Sequence, residues 1–236
     1  MPSKRARTNP TVGERIGREI ELAILSGRLR PGDRLPTEEE LVARHGSSRS
    51  AVREAVHGLR ARGLVISRRG SGSYVAADVG TRPLRESLGH YATLRANERG
   101  YTELFDLRLM VERFCVRRLA LLGKAADRSR LRAAFERMKM EKGDLTRFGE
   151  ADIAFHQELV AGAKHELFAT ILGGLFSDLG RRFAQDSYHR VSQVRQVLLE
   201  HEAVVEAVEA GDADLAEGHL VTHLVRSRAD FQKSDG

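Results

Sequence analysis

At 236 residues, with 41% hydrophobic and 31% charged side chains, the chain can bury one large core or two modest ones. No apolar run approaches the ~18 residues of a membrane span, and the start, Met1-Pro-Ser-Lys-Arg-Ala-Arg7, lacks the apolar stretch of a secretion signal, so no membrane role and a cytoplasmic location are expected. Cys115 is the only cysteine, which excludes an intramolecular disulfide or a thiolate zinc cluster; the net charge of +6 lies entirely in residues 1–78, with 15 Lys and Arg against 9 Asp and Glu, whereas the remainder holds 24 of each. That division suits a phosphate-binding module joined to a neutral one, with a basic solubility surface as the alternative.

In chain order, residues 1–10 form a basic arm rich in Lys, Arg and Pro. From Thr11, the spacing of Val12, Ile16, Ile20, Ala23 and Ile24 predicts a helix stopped by Gly27. After a turn-rich connection ending in Pro36, Thr37 and Glu40 have capping-box spacing and mark a second helix with Leu41 and Val42 on its apolar side. A short turn through Gly46 leads to a third helix, Arg49–Arg60, which places Val52, Ala55, Val56 and Leu59 on the buried side and Ser48, Arg49 and Arg53 outward. Two short helices joined by a tight turn, the second presenting small polar and Arg residues, have the geometry that enters a DNA major groove. Two strands, Leu64–Ser67 and Ser73–Ala76, flank a basic glycine-rich tip, Arg68-Arg-Gly-Ser-Gly72.

Residues 11–76 thereby resemble the winged helix-turn-helix of the GntR family, through Gly27-Arg-Leu-Arg-Pro-Gly-Asp-Arg-Leu-Pro36, Glu38, Leu41, Ser48-Arg49, Val52-Arg-Glu-Ala55, Leu59, Gly63-Leu-Val65, Gly70 and Val75. The resemblance implies a double-stranded DNA surface made of Arg34, Thr37, Ser48, Arg49, Ser50 and Arg53, with Arg69 and Gly70 at the wing tip in the minor groove. Glu39 departs from it, standing where many family members carry an Arg that approaches DNA.

Residues 78–100 read as a linker with room for a short helix, and everything beyond is helical in period: 102–123, 127–142, 145–163, 166–184, 191–210 and 212–231, broken at Gly143, at Gln185–Arg190 and at Gly211. An antiparallel bundle is expected from the short connections. Polar residues stand inside its apolar stripes. Asp152 and His156 lie about 40° apart on a helical wheel, on a face predicted to carry Leu145, Leu159, Ala163 and Leu167. His201 centres the stripe of Val194, Val197, Leu198, Val205 and Val208, and His223 borders the one made by Ala216, Leu220, Leu224 and Phe231. A single inward His is commonly a satisfied core residue, but three with an Asp can share a divalent cation. Arg108 also faces inward, one turn before Glu112; it can clamp an effector carboxylate or simply pair with that glutamate.

From roughly 100 to 231 the chain resembles the all-helical FCD domain of the FadR-like branch, whose metal-ligand pattern is matched by Asp152-x-x-x-His156, His201 and His223. That resemblance implies a zinc or nickel ion that helps hold a small carboxylate effector, here with Arg108. The expected protein is mainly α, with a winged helix-turn-helix at 11–77 and an all-helical effector-binding and dimerisation domain at 101–232. It would act as a homodimeric regulator, a repressor, on an inverted-repeat operator. Competing readings are a metallohydrolase fused to a DNA-binding module, a metal-free regulator with an acyl-type effector, and an architectural DNA binder with an inert helical domain.

Overall fold

The computed structural model describes residues 10–79, 81–95, 98–176 and 191–234. They form two compact units, one ending at Pro83 and the other beginning at Leu84, with ten helices and one two-stranded sheet among the described residues.

In the first unit, α1 (Val12–Leu25) opens with a capping box: Thr11 Oγ1 accepts from the Glu14 amide at 3.1 Å and Glu14 returns the bond to the Thr11 amide at 2.7 Å. Its Ile16, Ile20 and Ile24 are buried. Gly13 lets it cross α3 (Arg49–Ala61) closely, since a Cβ there would stand 2.9 Å from the Ala51 carbonyl oxygen. α2 (Glu38–His45) carries the predicted Thr37 and Glu40 box and ends at Gly46, whose φ of 56° is the left-handed conformation that such a stop needs. Ser48 caps α3, which buries Val52, Ala55, Val56 and Leu59 as its period predicts. Strands β1 (Val65–Arg68) and β2 (Gly72–Val75) pair antiparallel, from Val65 opposite Val75 to Arg68 opposite Gly72. β1 starts one residue later than the sequence suggests because the Leu64 amide bonds Leu59 at 3.0 Å, closing the end of α3.

In the second region a 14-residue helix, α4 (Thr81–Leu94), occupies most of the stretch read as a linker. It is followed by α5 (Glu98–Leu122), α6 (Ala125–Met140), α7 (Leu145–Gly162), α8 (Glu166–Leu175), α9 (Val191–Ala210) and α10 (Ala213–Ser234). Short turns fold α6 against α7 and α9 against α10, while α5 packs on α7 and α10. The core joins Leu119, Leu131, Phe135, Met138, Phe148, Phe155, Leu159, Val205 and Leu220, all fully buried; each such side chain stabilises the fold by roughly 1.5–3 kcal/mol.

One predicted face is corrected. Leu145 to Leu167 does not form a single stripe, because α7 stops at Gly162, Lys164 turns to a φ of 54°, and His165 caps a new helix. The phase is reset there, and Leu167 emerges 53% exposed on α8. The predicted continuation to 184 and the break at Gln185–Arg190 lie outside the described residues, as does the side chain of Phe231.

Candidate metal centre and nucleic-acid interface

Every residue expected at the DNA surface is exposed: Arg34, Thr37, Ser48, Arg49, Ser50 and Arg53, with Arg69 and Gly70 at the hairpin tip. Two of the hydroxyls have local work. Thr37 Oγ1 accepts from the Glu40 amide at 3.2 Å and Ser48 Oγ from the Ala51 amide at 3.2 Å, so both build the helix starts that set the arginines in place. Arg53 Nε donates to Glu38 Oε2 at 2.9 Å, and Arg49 Nη2 donates to Glu39 Oε1 at 3.3 Å. These pairs link the start of α2 to the start of α3, and the sequence reading missed them. At the wing, the Arg68 guanidinium stacks over Tyr74 at 4.6 Å, and the left-handed Gly70 and Gly72, with φ of 73° and 109°, form the tip.

In the second unit, α7 supplies Asp152 and His156, α9 supplies His201 and α10 supplies His223. Their relative exposures are 4%, 0%, 1% and 2%, and one ligand atom from each lies within 4.8 Å of all the others. His201 Nε2 is 3.3 Å from His156 Nε2 and 3.1 Å from Asp152 Oδ1, which in turn is 3.7 Å from His156 Nε2. Donor atoms bound to one ion at about 2.0–2.1 Å stand roughly 3–3.4 Å apart, so these separations suit a shared cation.

The outer nitrogens fix which protons are present. His201 Nδ1 donates to the Val197 carbonyl at 2.8 Å, a group that can only accept. His156 Nδ1 meets Glu112 Oε2 at 2.6 Å, and His223 Nδ1 meets Glu200 Oε2 at 2.9 Å. Burial would raise the Glu112 carboxyl, but the positive charge of Arg108 and then the contact with His156 outweigh it and bring the pKa to about 2. Burial likewise opposes ionisation of Glu200, which His223 and Arg226 hold well below the usual carboxylate range. Both glutamates are therefore acceptors, and all three histidines carry their proton on Nδ1.

Three bare Nε2 lone pairs then point at one another and at Asp152 Oδ1, which among the described residues is enclosed without a well-directed hydrogen bond. Burial lowers the pKa of His156, and burial followed by the neighbouring His201 brings that of His223 down to about 3, so protonating an imidazole is a poor way to relieve the contact. Burial raises the Asp152 carboxyl; what lowers it is the contact with His201 and the positive charge the imidazoles carry only when protonated, a role a bound cation would fill. Four acceptors converging without a donor are the chemistry a divalent cation satisfies. Phe155, fully buried, lays its ring edge-on to His201 at 4.4 Å and to His156 at 5.5 Å, walling the cluster on one side.

Arg108 is 3% exposed and donates from Nε to Glu112 Oε1 at 2.7 Å, so the predicted pair with Glu112 is formed. Among the described residues its Nη2 is enclosed and without a hydrogen-bond partner, while the guanidinium lies 5.3 Å from the ring centre of Phe176 and 5.5 Å from that of Phe105. A chain of contacts thus runs Arg108, Glu112, His156. His165, on the reset helix, accepts from the Phe168 amide at 3.4 Å and stacks on its ring, away from the cluster. The sequence reading paired Glu112 only with Arg108 and overlooked Glu200. The sole hint was an acid inside the apolar stripe of α5; Glu200 carries no comparable signal.

Against family models, residues 12–75 match the bacterial regulatory proteins of the gntR family, and residues 103–226 match the FCD domain. Similar curated proteins include the HTH-type transcriptional regulator LutR of Bacillus subtilis (strain 168), 29% identical over 205 residues, spanning 85% of this chain and 92% of LutR. The galactonate operon transcriptional repressor of Escherichia coli (strain K12) is 27% identical over 216 residues, 91% of this chain and 94% of the relative. The Glc operon transcriptional activator of the same strain is 29% identical over 204 residues, 83% and 79% of the two chains. Among solved structures, one titled Streptococcus agalactiae GntR shares the fold with a TM-score of 0.70 at 22% identity, covering 92% of this chain and 99% of that one.

Proposed function

The chain belongs to the gntR family of bacterial regulatory proteins and carries an FCD domain, and from that premise we propose a homodimeric, cytoplasmic DNA-binding repressor whose affinity for an inverted-repeat operator is set by a small carboxylate held beside a divalent ion. The observation that carries this reading is the convergence of Asp152, His156, His201 and His223 as bare acceptors, each imidazole anchored through Nδ1. Zinc or nickel fits three imidazoles and one carboxylate. Bound there, the ion would supply Lewis-acid attraction for an oxygen of the effector. Arg108 would take the other part of the same carboxylate, because among the described residues its buried Nη2 has no acceptor. The relative named for a galactonate operon is consistent with an organic-acid effector.

Two further observations bear on the reading. Glu112 and Glu200 are committed to imidazole Nδ1 atoms, so neither carboxylate is poised as a base for a metal-bound water, which favours a sensing centre over a hydrolase. On α5, Met110, Phe114 and Leu121 recur at helical spacing and are 75%, 45% and 60% exposed; this apolar face suits a second copy of the chain. Two copies are needed if paired recognition helices are to meet half-sites one turn apart.

The test is elemental analysis of the purified chain, followed by a thermal-shift screen of small carboxylates with and without a chelator. The proposal expects about one Zn or Ni per chain and a stabilising carboxylate whose effect disappears with the metal. A metal-free protein that gains nothing from added Zn or Ni would refute it.

A further inference from the structure

Glu38 and Glu39 open α2, and each holds an arginine of α3: Glu38 the Nε of Arg53 at 2.9 Å, Glu39 the Nη2 of Arg49 at 3.3 Å. The side chains of the second pair are 69% and 80% exposed for Arg49 and Glu39, so the pair contributes little to folding. Its location is more telling than its strength. The two carboxylates sit on the exposed edge that carries Ser48, Arg49 and Arg53, where phosphates would repel them, and they cancel the charge of the two arginines there. An edge built only for phosphate attraction would leave those arginines uncompensated.

What a carboxylate at this place does is restrict the guanidinium. A free Arg side chain samples many rotamers and drifts to the nearest phosphate. With Nη2 engaged by a residue of another helix, Nε and Nη1 keep their donors and a restricted direction in which to offer them. Base edges in the major groove are read by such oriented donors, as in the pairing of Arg with the O6 and N7 of guanine. The neutralised edge also gains less from sequence-independent phosphate contacts, which widens the gap between specific and non-specific binding.

We propose that Glu39 is a positioning residue for DNA specificity: through its ion pair it holds Arg49 for base recognition and withdraws it from phosphate contacts. The inference rests on the reading of α3 as the recognition helix. The geometry of Glu38 and Arg53 is parallel, but Glu39 is the more exposed of the two acids, 80% against 43%, and the freer to act at the DNA surface.

The experiment uses the full-length chain. Duplexes enriched by the wild type from a randomised pool define its preferred site. Affinities for that site and for an unrelated duplex are then measured by fluorescence anisotropy across a salt series for wild type, Glu39→Gln, Arg49→Ala and the double variant. Glu39→Gln is close in shape and at an exposed position, and a circular-dichroism melt checks that each variant is folded. The expected result is a loss of about tenfold in the ratio of specific to non-specific affinity for Glu39→Gln, in line with the discrimination of one Arg–guanine contact. Affinity for the unrelated duplex stays equal or rises, the relaxed base position is the one that Arg49→Ala relaxes, and Glu39→Gln adds nothing in the Arg49→Ala background. A ratio within twofold of wild type overturns the proposal, as does an equal loss in the Arg49→Ala background or relaxation at a different base. A wild type that enriches no sequence brings down the recognition-helix reading itself, whereas a normal wild-type site with an indifferent Glu39→Gln refutes this inference alone.

Discussion

Replacing Asp152 with asparagine is expected to raise the stability of the metal-free protein and to remove most of the stabilisation that metal adds. In the chelated wild type Asp152 Oδ1 is enclosed and unsatisfied, 3.1 Å from the bare Nε2 of His201. An asparagine amide at that place can donate to the nitrogen. Relieving one unsatisfied buried group is worth about 1–3 kcal/mol, and for a unit of this size that raises the melting temperature by roughly 2–12 °C. With metal the wild type gains far more. At a concentration a hundred times Kd, the ion stabilises the wild type by about 2.7 kcal/mol, or roughly 5–11 °C. Loss of the anionic ligand weakens binding by at least the ~10–100-fold seen for outer partners of metal ligands, which leaves only about 0.4 kcal/mol at the lower affinity. The assay is differential scanning calorimetry at pH 8 of both proteins, dialysed against chelator and then titrated with ZnCl2 or NiCl2. A chelated Asp152→Asn protein that melts at or below the chelated wild type, or one that keeps the full metal-dependent shift, refutes the argument of converging acceptors.

Arg108→Lys keeps a positive charge beside Glu112 but removes the idle Nη2, so the metal-dependent shift should survive while carboxylate-dependent stabilisation falls at least tenfold in apparent affinity, measured by calorimetric titration. The chelated protein should be acid-labile. Burial holds His156 and His223 below the 6.5 of a free imidazole, the latter at about 3, so the unfolded chain takes up these protons first. Stability is then complete above about pH 6.5 and declines as pH falls below it, by up to about 1.4 kcal/mol per pH unit for each histidine, a slope that urea titrations between pH 7.5 and 5 resolve. Finally, Leu121→Glu, placed on the exposed face of α5, should convert a dimer to a monomer in sedimentation equilibrium while leaving metal content unchanged.

Much of this was legible in the chain because the signals are local. The capping box of Thr37 and Glu40 and the left-handed Gly46 marked a helix start and stop, and the periods of α7, α9 and α10 were regular enough to turn Asp152, His156, His201 and His223 inward. Where the signal was lost, the cause was local too. Lys164 resets the phase between α7 and α8, and no pattern of apolar residues announces a single residue of positive φ, so Leu167 was assigned to the wrong side. The anchors of the imidazoles were out of reach for a different reason. Glu112 and His156 are 44 positions apart, and Glu200 and His223 are 23 apart, so each pairing is a product of helix packing with no signature along the sequence. The same holds at shorter range for Glu38 with Arg53 and Glu39 with Arg49, which meet only once the turn at Gly46 has folded.

The near-complete enclosure of the four clustered side chains has a consequence for time as well as for affinity. With exposures of 4% or less, an ion held there would enter or leave only while α7, α9 and α10 are transiently parted, so its exchange would be gated by an opening of the bundle and not by the strength of the coordinate bonds alone. The rate at which a fluorescent chelator in excess strips the protein should therefore level off as chelator concentration rises, and the plateau is a clock for that opening. An occupant that braces the helices would slow the clock, and the residence time of the ion would then record whether that occupant is bound.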